Sequence, residues 1–171
     1  MDIVMVHGLW HTGRVYRPMA HYLRQQGHHC HCPDLKPANG KHGLIDLAEK
    51  LKTSIDHTLG PRRPFALIAF SMGTVIARYY LQALGGAARV QHFFTISGPL
   101  RGTLTAYLWP GKACRDMRFK SALLQQLNAD LSAYQHIVIH SYRTPFDLLI
   151  IPARSSYWDI AKDNLTIPAS L

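Results

Sequence analysis

The chain has 171 residues, enough for one domain with its own core, and 47% apolar against 17% charged residues exclude a disordered chain. Lysine and arginine outnumber aspartate and glutamate 19 to 10, a formal charge of +9 with the 11 histidines neutral. That balance favours anionic surfaces, but the basic residues are scattered: neither Arg62-Arg63 nor Lys112 to Lys120 forms the aromatic-laced stripe of a nucleic-acid binder. No apolar run reaches the ~18 residues of a membrane span, so no integral membrane segment is expected. Nothing at Met1-Asp2 reads as a secretory leader, and the expected location is cytoplasmic, with a mature secreted form as the alternative. Cys30, Cys32 and Cys114 are too few for a disulfide framework, and a bridge between the first two would be strained, so free thiols are expected.

In chain order, Asp2 to Val6 reads as a short apolar strand and His7 to Gly13 as a loop. Val15 to Gln26 has the spacing of a helix and stops at Gly27; His28 to Cys32 reads as a second strand, and Leu35 to Lys41 as a turn-rich loop. Leu44, Leu47, Leu51, Ile55 and Leu59 repeat every three or four residues, an amphipathic helix that Gly60-Pro61 ends. Phe65 to Phe70 carries no charge and reads as a buried strand, followed by a helix from Thr74 to Leu84. Val90 to Ile96 is a fourth strand, broken by Ser97-Gly98-Pro99. Arg101 to Phe119 reads as irregular, and Ser121 caps a helix to Leu131. Gln135 to Ser141 is a fifth strand, Ser155 to Lys162 a short helix and Leu165 to Ile167 a sixth strand. Strands alternating with helices predict an α/β fold with a largely parallel sheet, and the whole of 1–171 reads as one domain.

Sites in such sheets gather at the carboxyl ends of strands, which sorts the candidates. Ser71 stands where a buried strand turns sharply into a helix, flanked by small Ala69 and Gly73, the pattern of a nucleophile elbow. A serine hydroxyl needs a base to take its proton and an oxyanion site for the developing charge. The backbone N–H of Met72, at a helix N-terminus, is one candidate for that site; the N–H of Leu9, after Gly8, is the other. Asp147, in the loop after the fifth strand, is the candidate acid; Asp130 and Asp159 are less well placed.

Val6-His7-Gly8-Leu9-Trp10, Phe70-Ser71-Met72-Gly73, Ser97 to Thr103 and Ser141 to Ile151 together resemble the α/β-hydrolase superfamily, and within it the small bacterial lipases with a minimal six-stranded core. The resemblance spans nearly the whole chain. It implies a three-layer α/β/α fold whose six-stranded parallel sheet has the order 2-1-3-4-5-6. It further implies carboxylic ester hydrolysis through an acyl-enzyme, with Ser71 as nucleophile and Asp147 as acid, and no cofactor or metal. Ala69 departs mildly from the usual glycine.

The base is the open question. The resemblance places the histidine just beyond Leu171, so the C-terminal part, histidine loop and last helix, reads as missing. Two other readings stand beside that one: an internal base, with His11 the best placed, or an inactive domain that binds a lipid or protein in the same cleft. Trp10, His11 and Leu100 are the candidate substrate-pocket residues. Arg101 to Phe119 mixes Tyr107, Leu108, Trp109 and Met117 with four cations, which suits an ester substrate with an anionic head group or an anionic lipid surface; a solvated connection packed by its own aromatics is the plainer reading. Thioesterase and phospholipase chemistry would use the same triad. His28 to Cys32 holds five residues of metal-ligating type, but alternation along a strand splits them between two faces.

Overall fold

The computed structural model describes residues 1–168. Six strands, β1 (Asp2–Val6), β2 (His29–His31), β3 (Phe65–Phe70), β4 (Val90–Ile96), β5 (Val138–Arg143) and β6 (Asp163–Thr166), form one sheet of order β2-β1-β3-β4-β5-β6. Every neighbouring pair is parallel, with Met5 opposite Ile68, Ile68 opposite Phe94 and Phe94 opposite His140. The main helices are α1 (Arg17–Gln25), α2 (Leu44–Leu59), α3 (Met72–Ala83), α4 (Lys112–Asp116) and α5 (Ala122–Ala129).

The strand order dictates the layers. Right-handed crossovers put the helix on one face when the chain steps from β1 to β2, and on the other when it steps back across to β3, β4 and β5. So, among the described residues, α1 is the one helix of its face, while α2, α3 and α5 share the opposite one. The core divides accordingly: Val4, Val6, Leu67 and Phe93 pack with Leu47, Leu51, Ile76 and Leu124, whereas Ile3, Met5, Ala66 and Ile68 pack with Tyr16 and Ala20. Successive strand residues point to opposite faces, both of them covered here, which is why β3 and the Ile3 to Val6 part of β1 are apolar throughout. On the α1 face, a groove of about 550 Å³ runs along the sheet, lined by Ile68, Phe94, Ile96 and Tyr142 and flanked by Met19 and Tyr22.

The strands β1, β3 and β4 and the helix α2 have the expected bounds. Elsewhere the boundaries move for local reasons. The first helix divides into a 3-10 turn, Gly13–Tyr16, and α1, with Pro18 in its first turn. The second strand pairs over only three residues. Arg101 to Phe119 is not wholly irregular: it holds a 3-10 turn, Leu104–Tyr107, and α4, whose Asp116 carboxylate accepts the Leu44 N–H at 2.9 Å. Ser121 caps α5 by accepting the Leu124 N–H. β5 starts late because Ser132–Tyr134 forms a 3-10 turn first. The expected helix over Ser155 to Lys162 is replaced by a 3-10 turn, Ala153–Ser156, and a loop. The Asn164 side chain brackets Trp158 there, accepting its N–H and donating to its carbonyl at 2.9 Å each, and that holds the loop open. β6 begins at Asp163, two residues early, where it pairs with His140. The three cysteines are free.

Candidate active site

The strand order reverses between β1 and β3, and the crevice beyond the carboxyl ends of those two strands is the natural ligand site of such a sheet. Ser71 lies there, between β3 and α3, with φ 53° and ψ −124°. A non-glycine residue rarely adopts that conformation, which costs on the order of 1–3 kcal/mol and is held by its surroundings. Ser71 N–H donates to the Ile96 carbonyl at 2.9 Å, its own carbonyl accepts the Thr74 N–H at 2.9 Å, and the Thr74 hydroxyl donates back to the Ala69 carbonyl at 3.2 Å. Gly73 is the hinge of this packing. A β-carbon on it would lie 2.3 Å from the Val6 carbonyl oxygen, so only glycine lets α3 sit on the end of β1.

The loop after β1 closes over the serine from the other side. A β-carbon on Gly8 would stand 3.2 Å from Ser71 Cβ. His7 pins this loop. Its Nε2 accepts the Leu35 N–H at 2.9 Å, so the proton is on Nδ1, which donates to the Gly8 carbonyl at 2.9 Å. Burial holds the His7 pKa below its ordinary value, keeping the ring neutral. Both nitrogens are engaged, so His7 is a fastening, not a free base. Trp10 N–H donates to Ala38 and His11 N–H to Gly8. The Leu9 and Met72 N–H groups donate to no acceptor among the described residues.

Asp147 is buried in the loop after β5. Its Oδ1 accepts the N–H groups of Leu149 at 2.9 Å and Ile150 at 2.8 Å, while its buried Oδ2 has no partner among the described residues. Leu149 and Ile150 line the same cavity as Ser71, Leu9, Trp10 and His11, a space of about 110 Å³ walled further by Phe70, Ala106, Trp109 and Met117. Trp10 meets Trp109 edge to face at 4.9 Å. His11 sets its ring against Phe70 at 5.8 Å, and its Nδ1 is buried and unpartnered.

The structure therefore gathers Ser71, Leu9, Trp10 and His11 around one cavity, with Asp147 holding two of its wall residues. Leu100 is not part of that wall. It is buried in the core, and its carbonyl accepts from Arg78 and Asn128. Asp130 and Asp159 are engaged elsewhere, with Ser132 and Arg101. No histidine among the described residues bonds Asp147. His140 pairs with Asp163, His31 with Asp2 and His42 with Asp46. The position expected for the base, beyond Leu171, lies outside the described residues. The ligand-type residues around β2 do not converge either: His29 and His31 turn to Asp2, while burial pushes the Cys30 and Cys32 thiols up in pKa.

Two features of the site escape a reading of the sequence. His7 works through Leu35, 28 residues away. Ser97, at the end of β4 and so between the strands that carry Ser71 and Asp147, has φ 47° and a buried hydroxyl without a partner among the described residues. Neither leaves a composition or spacing signal.

A parallel sheet with a strained serine at its switch point is the framework of a hydrolase. Residues 3–162 match the alpha/beta hydrolase family, and the chain belongs to it. Solved structures with this fold include the mature lipase BlEst2 of Bacillus licheniformis, 18% identical, with a TM-score of 0.68 over 84% of this chain and 65% of that one. Phospholipase PlaB of Legionella pneumophila is 18% identical, with a TM-score of 0.66 over 84% of this chain and 39% of that one. An extracellular alpha/beta-hydrolase from a Paenibacillus species is 17% identical, with a TM-score of 0.67 over 99% of this chain and 90% of that one. The chain thus spans less than two thirds of the lipase and of the phospholipase. No curated protein matches it.

Proposed function

We propose that this alpha/beta hydrolase cleaves carboxylic esters through an acyl-enzyme on Ser71. The observation that carries the reading is the strained serine at the mouth of an apolar cavity, at the point where the strand order reverses. A base takes the Oγ proton as Oγ bonds to the ester carbonyl carbon, and the negative charge on the carbonyl oxygen is met by the free N–H groups of Leu9 and Met72. Collapse of that intermediate breaks the ester C–O bond, and the alcohol leaves with the proton. Water then repeats the sequence on the acyl-enzyme and releases the acid. Asp147 is the acid of the reading: two backbone N–H groups fix Oδ1, and Oδ2 is left to accept an N–H from the base and orient it. The names of the similar structures, a lipase and a phospholipase, point to lipid-like esters as the substrate class. Thioesters run through the same steps.

One observation favours a second reading. The Oδ2 of Asp147 has no partner and no histidine touches it among the described residues, as in a domain that binds in this cleft without turnover. Hydrolysis of p-nitrophenyl butyrate separates the two. The ester-hydrolase reading expects turnover that Ser71→Ala abolishes, and covalent labelling of Ser71 by a fluorophosphonate. If His11→Asn also abolishes turnover, the internal histidine is the base. Turnover that survives His11→Asn places the base elsewhere. No turnover and no labelling, in this chain and in one extended by further natural sequence, would leave the binding reading.

A further inference from the structure

Apolar side chains that the fold holds outward stand beside the cavity: Trp10 and Trp109 line it, and the others sit on the loops that supply its wall residues Thr103, Thr105, Leu149 and Ile150. Leu108 is 74% exposed, Leu148 71%, Phe146 68% and Trp10 55%, with Leu104 and Trp109 also at least half exposed. These residues come from three loops at the carboxyl end of the sheet, yet they form one stitched surface. Leu104 N–H donates to the Ile151 carbonyl at 2.9 Å, the Ile151 N–H to the Thr103 hydroxyl at 2.9 Å, and the Thr103 hydroxyl to the Leu149 carbonyl at 3.1 Å. Trp10 joins the surface by its edge-to-face contact with Trp109. These hydrogen bonds tie the loops together while the apolar side chains stand in water, so the exposure belongs to the fold. An apolar patch of this kind on a protein surface marks a binding face.

The charges around it say what kind. Lys112, Arg115 and Lys120 are exposed on the segment that carries Leu108 and Trp109. Lys41 joins them, because the Gly40 carbonyl accepts the Ala113 N–H at 3.1 Å and brings that loop against α4. The acid of the segment, Asp116, is turned inward to the Leu44 N–H. Apolar side chains girdled by cations match the layered chemistry of an anionic bilayer: acyl chains beneath, phosphates around. We propose that this rim docks on anionic phospholipid surfaces and seats the Ser71 cavity on the lipid. What the seated cavity then does rests on the ester-hydrolase reading; the docking does not depend on turnover.

Sedimentation with large vesicles tests it, using the Ser71→Ala chain so that hydrolysis plays no part. Phosphatidylglycerol-containing vesicles should carry down roughly tenfold more protein than phosphatidylcholine vesicles, and raised salt should reduce the difference. The double variant Leu108→Ser/Leu148→Ser, at two side chains that hold nothing else in place, should lose the binding and keep the circular dichroism spectrum. Tryptophan emission should shift to the blue on anionic vesicles in the parent and not in the variant. Equal sedimentation of parent and variant, or equal sedimentation with both lipids, or none with either, overturns the proposal. So does lipid-free self-association by light scattering that the double variant abolishes, because the rim would then belong to a second copy. Turnover of a soluble ester is measured separately on chains with Ser71 intact, so the loss of one reading leaves the other standing.

Discussion

Ser71 occupies a backbone conformation that glycine adopts freely and serine does not, so the elbow stores energy where the chemistry is proposed. Ser71→Gly should therefore stabilise the fold by about 1 kcal/mol, a rise of roughly 2–4 °C in Tm for a chain of this size. Ser71→Ala should show no such gain, and neither variant should turn over esters. Thermal melts of the three chains check this; equal melting of the glycine and alanine variants would remove the strain from the account. His7 gives a second outcome at this scale. Its pKa is depressed by burial, while in the unfolded chain it returns to about 6.5. Between those values the unfolded state binds a proton that the folded state refuses, so stability is full above about pH 6.5 and falls as the pH drops below it. His7→Gln should remove that dependence, seen as a Tm gap between the two chains that narrows on acidification. It should also loosen the Gly8–Leu9 loop and slow ester turnover at every pH. Ser71 was legible because a bend between strand and helix demands particular residue types around it. The role of His7 was not, because a backbone partner 28 residues away has no side-chain identity to read.

At the scale of elements, α3 does more than carry the serine. Its Arg78 is buried, with no carboxylate paired to it among the described residues. The guanidinium donates to the Leu127 carbonyl at 2.7 Å and the Leu100 carbonyl at 3.4 Å, and lies 4.9 Å over the Trp158 ring. One side chain thus ties the loop after β4, the end of α5 and the loop before β6. Arg78→Met keeps much of the volume but takes a charged donor from each of those carbonyls, leaving Gln82 on Leu127 and Asn128 on Leu100, and should cost roughly 1.5–3 kcal/mol in urea unfolding. Arg78→Lys should not restore it, because a single ammonium cannot span two carbonyls and cover a ring as a planar fork does. A loss under half a kcal/mol in both variants would show the site relaxing around water. The network also explains why Leu100, expected at the pocket, faces the core instead. Elements buried on both sides kept their expected bounds, as β1 and β3 do, because nothing interrupts their apolar run. β5 and β6 drifted, since their edges are set by pairing register and by turns at Tyr134 and Asn164, which depend on contacts distant in sequence.

The whole molecule is lopsided. Each crossover after β2 moves the chain the same way across the sheet, so handedness sends α2, α3 and α5 to one face and, among the described residues, leaves α1 to cover the other. Beyond α1, residues of β1, β3, β4 and β5 line a groove of about 550 Å³, among them Phe94, stacked on His92 at 6.2 Å and on His140 at 5.0 Å. Parallel sheets rarely leave a face open, because their strands are apolar on both sides. The chain should associate with rising concentration despite its +9 charge, since attraction between open apolar surfaces is short-ranged and wins once copies touch. Light scattering across a concentration series should show the mass climbing, with dye binding to exposed apolar surface. Phe94→Lys puts a charge in the wall of the groove, where the side chain is only partly buried, and should return the chain toward monomer with its helix and strand content unchanged. Association that persists in Phe94→Lys but disappears in Leu108→Ser/Leu148→Ser would move the contact from the sheet face to the cavity rim. A parent chain that stays monomeric throughout would mean that the groove closes in solution, and the sheet-face account would fail with it.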